Sequence, residues 1–422
     1  MEHIDKLPVS RKADIQRSGD KDKKQTWAIF SLASIPLVMT LGNSMLIPVL
    51  PTMEKKLNIT SFQTSMILTV YSVVAIILIP IAGAISDHIG RKKVIIPSLI
   101  IAGIGGIVSG WAAWKMDDAY WLILCGRALQ GVGAAGASPI VMPLIGDMFQ
   151  NDDDVSSSLG TIETANTFGK VLSPILGAFL AGFFWFLPFF AFPAFCIVSI
   201  ILVFFFIKVP KERDKPLPMK QFLQNIKETF AHNGKWLYAI FIIGVILMFV
   251  LFGVLFYLSD VLEKTYEFKN VKKGFMLAVP LGALCIASFI TGKIIKENKI
   301  LMKWIIFSGT ILTTISVAIL SFSDGIWFML ILFVFGGIGI GVALPCLDAL
   351  ITSGIEKEER GTITSIYSSM RFIGVAAGPP IMAILMKHAE KSLFYVLSGV
   401  TVIAIIATFM AIKPDGAKTK PT

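Results

Sequence analysis

The chain has 422 residues, 55% of them apolar and 16% charged, against roughly 25% charged in an ordinary soluble domain, so its apolar surface is too large to hide in one soluble core. The net charge of +10 does not imply a nucleic-acid partner, because the basic residues are scattered through tails and short loops with no soluble domain to present them. Cys125, Cys196, Cys285 and Cys346 all lie in apolar stretches without metal-ligand spacing, which implies neither a disulfide framework nor a metal site.

Residues 1–26 are polar and basic and lack the apolar run of a signal peptide, so they are expected to be a cytoplasmic tail. Apolar runs of roughly 20 residues, the length that crosses a hydrocarbon layer, then recur almost to the end. They predict helices over 27–50, 62–85, 93–114, 119–149, 157–181, 183–208, 236–261, 272–294, 301–322, 325–353, 360–386 and 391–412. In lipid the backbone must satisfy its own hydrogen bonds, so these spans are helical. The expected fold class is an all-α membrane protein with twelve transmembrane helices in two six-helix bundles, 27–208 and 236–412. A central cytoplasmic loop over 209–235, rich in charge and proline, joins them, and 219–230 within it has the pattern of an amphipathic surface helix. An even number of spans puts both termini on one side, with 413–422 as a second tail. Lys and Arg are concentrated on that side, which the positive-inside rule makes the cytoplasm. Trp27, Trp114, Tyr120, Trp185 and Trp327 near span ends fit an interfacial belt.

The two halves echo each other. Gly131-x-Gly133 followed by Pro139 in span four returns as Gly337-x-Gly339 followed by Pro345 in span ten. Gly169-x-x-x-Ser173-Pro174 in span five returns as Gly374-x-x-x-Gly378-Pro379 in span eleven. A fainter echo links Gly83 after span two with Gly292-Lys293 after span eight. Matches in the same order point to duplication, and internal repeats are a mark of secondary transporters.

At the end of span two the chain reads Gly83-Ala-Ile-Ser-Asp87-His88-Ile-Gly90-Arg91-Lys92-Lys93. Gly83 permits close helix approach, Gly90 a tight turn, and Asp87 with Arg91 a charge-assisted pair. This stretch resembles the loop signature of the major facilitator superfamily. Three others resemble its twelve-helix drug:proton antiporter branch: Gly42-Asn43-Ser44 through Pro48 and Pro51, Arg127-x-x-Gln130-Gly131-x-Gly133, and Gly169-x-x-x-Ser173-Pro174-x-x-Gly177-Ala178. The last is the family's antiporter motif, with Ser173 and Ala178 in place of glycines. The resemblance implies that Gly83, Asp87, Gly90 and Arg91 join Asp147 in a conformational lock, and that Arg127 takes part in proton coupling. It covers essentially the whole chain and identifies fold better than substrate.

Ionisable residues inside spans are costly and usually face a cavity or each other. Glu163, Asn166 and Lys170 recur at helical spacing in span five and share one face. Asp348 in span ten and Arg371 in span eleven are candidates for an ion pair. Glu163 and Asp348 are the carboxylates well inside the spans, hence the candidates to carry a coupled proton; span one offers only Thr40, Asn43 and Ser44 where many antiporters of this branch have an acid. Arg127, Lys170 and Arg371 make an anionic or zwitterionic substrate credible, since a buried cation needs a counter-charge.

No phosphate-binding loop is present: Gly169-Lys170 lacks the glycine spacing and the following Ser or Thr. His3, His88, His232 and His388 lie in tails or loops, outside any intramembrane catalytic group, so the chain is not expected to be an enzyme. The leading expectation is proton-coupled antiport of amphipathic drugs by alternating access in a bacterial cytoplasmic membrane, needing no cofactor beyond the proton gradient and no second subunit. The alternatives are export of one endogenous metabolite such as a siderophore, flipping of a lipid-linked sugar, and a non-transporting membrane sensor.

Overall fold

The computed structural model describes residues 9–148, 152–207, 219–295, 298–322, 325–355, 357–389 and 392–412. Among these there is no strand. The helices are α1 (Val9–Ser44), α2 (Leu50–Leu57), α3 (Ser61–Ile89), α4 (Arg91–Lys115), α5 (Tyr120–Met148), α6 (Asp152–Phe183), α7 (Leu187–Phe206), α8 (Met219–Lys264), α9 (Asn270–Ile295), α10 (Lys299–Ile319), α11 (Ile326–Gly354), α12 (Lys357–His388) and α13 (Leu393–Ala411). The first span is α1 prolonged by a 3-10 turn, Ile47–Val49, and the short α2; each later span is one helix. Eleven are long and apolar enough to cross a membrane by composition alone. The twelfth is α6, which carries Glu163, Asn166 and Lys170.

Local chemistry sets the joints. Asn58 ends α2 in the left-handed conformation, with φ of 51°. Thr60 then opens α3 with a capping box: its hydroxyl accepts the Gln63 N–H at 3.2 Å while the Gln63 side chain accepts the Thr60 N–H at 2.9 Å. Gly90, with φ of 113°, makes the turn between α3 and α4 that a side chain would strain.

Two helices start earlier than the apolar runs suggest. α1 is described from Val9 and α8 from Met219, so the tail from Val9 onward and the 209–235 stretch from Met219 onward, including the amphipathic segment, are helix continuous with the spans. Residues 1–8, 208–218 and 413–422 lie outside the described residues.

Helices α1 to α7 form one bundle and α8 to α13 the other, and the packing of one is repeated in the other. Pairs α1·α6, α1·α7, α3·α5, α4·α5 and α4·α7 correspond to α8·α12, α8·α13, α9·α11, α10·α11 and α10·α13. The repeated glycines explain why: a Cβ on Gly131 would strike the Tyr71 carbonyl of α3, and one on Gly337 the Pro280 carbonyl of α9. Gly133 and Gly339 likewise press on α4 and α10, and Gly169 and Gly374 on α1 and α8. Small residues at these points let backbones meet where there is little hydrophobic force to draw helices together. The bundles meet along α3·α12 and α6·α9, which exchange under the same pseudo-symmetry. Large apolar side chains such as Ile77, Ile104, Phe205 and Phe289 stand exposed on the outer faces, as expected when the solvent is lipid.

Candidate functional site

Between the bundles, α6 supplies one wall and α11 with α12 the other. Residues three and seven apart share a helix face, which is how Glu163, Asn166 and Lys170 come to line one side of α6. Asn166 Oδ1 accepts a 2.6 Å hydrogen bond from Thr40 of α1, and its amide nitrogen lies 3.4 Å from each Glu163 oxygen. The Thr167 hydroxyl adds a 3.5 Å contact to Glu163 Oε1. Among the described residues no cation lies within ion-pair distance of Glu163. On the facing wall, Arg371 Nη1 meets Asp348 Oδ1 at 3.3 Å, with the guanidinium also 5.6 Å from the Tyr367 ring. Lys170 is buried and lies within electrostatic reach of Glu163, Asp348 and Arg371. The structure therefore brings five sequence candidates, from both bundles, near one another.

Arg127 does not join them. Fully buried, it donates from Nε to the Ile67 carbonyl at 2.7 Å and from Nη2 to Asn43 Oδ1 at 2.6 Å. Nη1 donates to the Gly42 carbonyl and to Gln130 Oε1. The guanidinium also packs on the Tyr71 ring, 4.6 Å from its centroid. A rigid fork of five donors can serve several acceptors at once, and here Arg127 uses it to tie α1, α3 and α5 together.

The antiporter-type stretch acts through packing. Ser173 donates to the Gly169 carbonyl at 2.5 Å and reaches the Thr40 carbonyl of α1 at 3.5 Å. A Cβ on Gly177 would overlap the Met45 carbonyl, and the Pro174 carbonyl abuts Gly274 of α9. This segment thus seats α6 on α1 and carries the contact across to the second bundle.

Each end of the chamber has a charge network. At the end bearing the termini, Arg91 binds Asp87 at 2.8 Å and Asp147 at 2.6 Å, joining α3, α4 and α5. Gly83 faces Ser365 of α12. At the opposite end, a set of residues that sequence reading missed closes the bundles on each other. Ser259 donates to the Ile47 carbonyl at 2.7 Å and Lys273 to the Pro48 carbonyl at 2.7 Å, both across the interface. Glu263 holds Lys273 at 2.9 Å and accepts from Thr52 at 3.2 Å, with Lys55 at 3.6 Å. Lys264 bridges Asp260 at 2.8 Å and Glu54 at 3.1 Å. The available signal was Asp260, Glu263 and Lys264 at helical spacing on the last turns of a span, where charge near a span end is easily read as a solvated tip.

Two pseudo-symmetric helical bundles around a chamber of ionisable groups, shut at one end, define a membrane carrier rather than an enzyme. The chain belongs to the Major Facilitator Superfamily, whose profile matches residues 32–323 and 299–422. It is 54% identical over 385 residues to the Bacillibactin exporter of Bacillus subtilis, covering 91% of this chain and 96% of that one. It is 24% identical to Multidrug resistance protein 2 of the same organism, over 86% of this chain and 90% of the relative. Against Tetracycline resistance protein, class B, of Escherichia coli it is 25% identical, over 85% and 89%. Among solved structures, the human organic anion transporter MFSD10 (TETRAN) superposes with a TM-score of 0.72 at 17% identity, over 91% of this chain and 99% of that one.

Proposed function

We propose that the protein exports a siderophore, of the kind handled by the bacillibactin exporter it resembles, across a bacterial cytoplasmic membrane in exchange for protons. The observation that carries this reading is 54% identity spread over 91% of the chain, whereas similarity to drug exporters stands at 24–25%. At the lower level the fold persists while cargo diverges. The relatives thus favour the endogenous-metabolite reading over drug antiport. Drug export remains the second reading, supported by the apolar cleft walls Leu251, Phe252, Leu277 and Leu281.

With both termini in the cytoplasm, as the basic loops argue, the latch around Glu263 and Lys273 faces outward and the conformer is shut to the outside. Alternating access then proceeds by rocking the two bundles about the chamber, parting the Pro48–Lys273, Ile47–Ser259 and Glu54–Lys264 contacts as it opens outward. The Arg91–Asp87–Asp147 network holds the cytoplasmic end during that phase. A coupled proton needs a carboxylate that is neutral in one state and ionised in the other. Asp348 is tied to Arg371, so Glu163, held only by neutral donors at 3.4 Å or more, is the proton carrier.

Deletion of the gene in its host tests the cargo. Bacillibactin should fall in the spent medium and rise inside the cells, and complementation should reverse both; drug sensitivity with unchanged secretion would shift the assignment to drugs. In vesicles with an imposed pH gradient, Glu163→Gln should abolish uphill transport and spare one-for-one exchange. Uphill transport at the normal rate by that variant would remove Glu163 from the coupling step.

A further inference from the structure

We infer that Lys170 is the specificity-determining contact of the exporter, its ammonium receiving an acidic oxygen of the cargo. The inference rests on the export reading above and deepens it by naming the group that selects an anion.

Three cations lie inside the spans near the chamber, and the structure separates them. Arg127 is consumed by carbonyl and amide acceptors from α1, α3 and α5. Arg371 has Asp348. Lys170, 8% exposed, has no hydrogen-bond or ion-pair partner among the described residues. Glu163, the carboxylate on the same face, lies within electrostatic reach but forms no ion pair with it, and its oxygens meet Asn166 and Thr167 at 3.4–3.5 Å. A buried charge without a partner is costly unless something else neutralises it. Such a residue is expected where the partner arrives with the cargo.

The surroundings fit that role. Lys170 lines a narrow cleft of about 10 Å³ with Ser44 and Ile47 from the end of the first span, Leu251 and Phe252 of α8, and Leu277 of α9. It is the charged member of that lining: once the bundles part and the cleft widens, apolar walls would hold the body of a small molecule while one point charge fixes an anionic oxygen. The cleft lies directly under the latch, since Ile47 accepts the Ser259 hydrogen bond and Pro174, one turn beyond Lys170, abuts Gly274 of α9. Cargo bound to Lys170 would therefore press on the contacts that must part for its release. A siderophore, whose metal-binding atoms are acidic oxygens, meets this site; a lipophilic cation is repelled by it.

Labelled bacillibactin exchange across proteoliposomes, with the same compound on both sides and no pH gradient, reads cargo binding separately from proton coupling. Loss of a charge-assisted bond worth about 1.4 kcal/mol corresponds to roughly tenfold. Exchange at low concentration should thus fall about tenfold in Lys170→Met and Lys170→Gln through a raised KM, and Lys170→Arg should restore most of it. The full chain is used, and each variant must elute as a monodisperse peak. Lys170→Gln keeps a polar head should Lys170→Met fold poorly. Gly399→Ala, at a position with open space around it, serves as the comparison that spares exchange. Neutral variants that exchange at the wild-type rate but lose pH-driven transport would place Lys170 in coupling and overturn the inference while leaving the export reading intact. Wild-type vesicles that exchange no bacillibactin would overturn both.

Discussion

Replacing Arg127 by Met separates a structural tether from a proton-coupling role. The side chain is 0% exposed, and its guanidinium serves the carbonyls of Ile67 and Gly42 and the side-chain oxygens of Asn43 and Gln130. Hydrogen bonds to a charged group contribute about 1.5–3 kcal/mol each. They do not add, because they share one donor group. Breaking a buried charged network by deleting one member costs about 3–5 kcal/mol, and Arg127→Met belongs in that range, since its thioether offers no donor to four abandoned acceptors. Arg127→Lys keeps the charge but has a compact head of three donors, so it should fall between. The assay is thermal unfolding of purified protein in detergent, read by size-exclusion recovery, alongside exchange in vesicles. The tether predicts that stability and exchange fall together in the order Arg, Lys, Met. An Arg127→Met variant that melts within about a degree of wild type and exchanges normally, yet loses only uphill transport, would refute the tether and restore the coupling role that the family resemblance implies.

Asp348→Asn should cost about 1–3 kcal/mol, below the full figure for a buried pair because Asp348 is 30% exposed; adding Arg371→Met should recover part of the lost yield, and a double variant no better than either single one would dissolve the pair. Gly177→Val should block assembly of α6 on α1, since even a Cβ overlaps the Met45 carbonyl, while Gly399→Ala, with open space around it, is a silent control for expression. Glu54→Gln with Ser259→Ala removes about 0.5–1 kcal/mol of partly exposed ion pair and about 1 kcal/mol of buried hydrogen bond from the latch around Glu263 and Lys273. Spin labels at Lys56 and Glu267, both exposed at that end, should then show a longer-distance population that wild type lacks; an unchanged distribution would mean that the latch does not hold the bundles shut.

The sequence made the twelve spans, the duplication and the central charges legible, because lipid imposes one rule on every span: apolar length, internal hydrogen bonding, and charge only where something meets it. The polar helical turns from Val9 and from Met219 into the spans escaped it, since helix outside lipid leaves no hydropathy signal. The latch around Glu263 and Lys273 escaped it for a different reason. Its shortest hydrogen bonds across the bundles go to the carbonyls of Ile47 and Pro48, which every residue possesses and no residue type advertises. Arg127 was visible as a buried cation, but whether it meets a proton path or a cage of carbonyls depends on how α1 and α3 wrap around α5, which spacing along one helix does not encode.

The Asp348–Arg371 pair belongs wholly to the second bundle, whereas Glu163 and Lys170 belong wholly to the first. In a rocking carrier, separations inside a rigid body are preserved and only those between bodies change. One jaw therefore holds a permanent dipole of fixed shape, and the other holds two separate charges whose distance from it varies through the cycle. If the bundles rock as proposed, the work of moving those charges in that dipole's field would link a change of conformation to a change in proton occupancy, without any bond inside either jaw being broken.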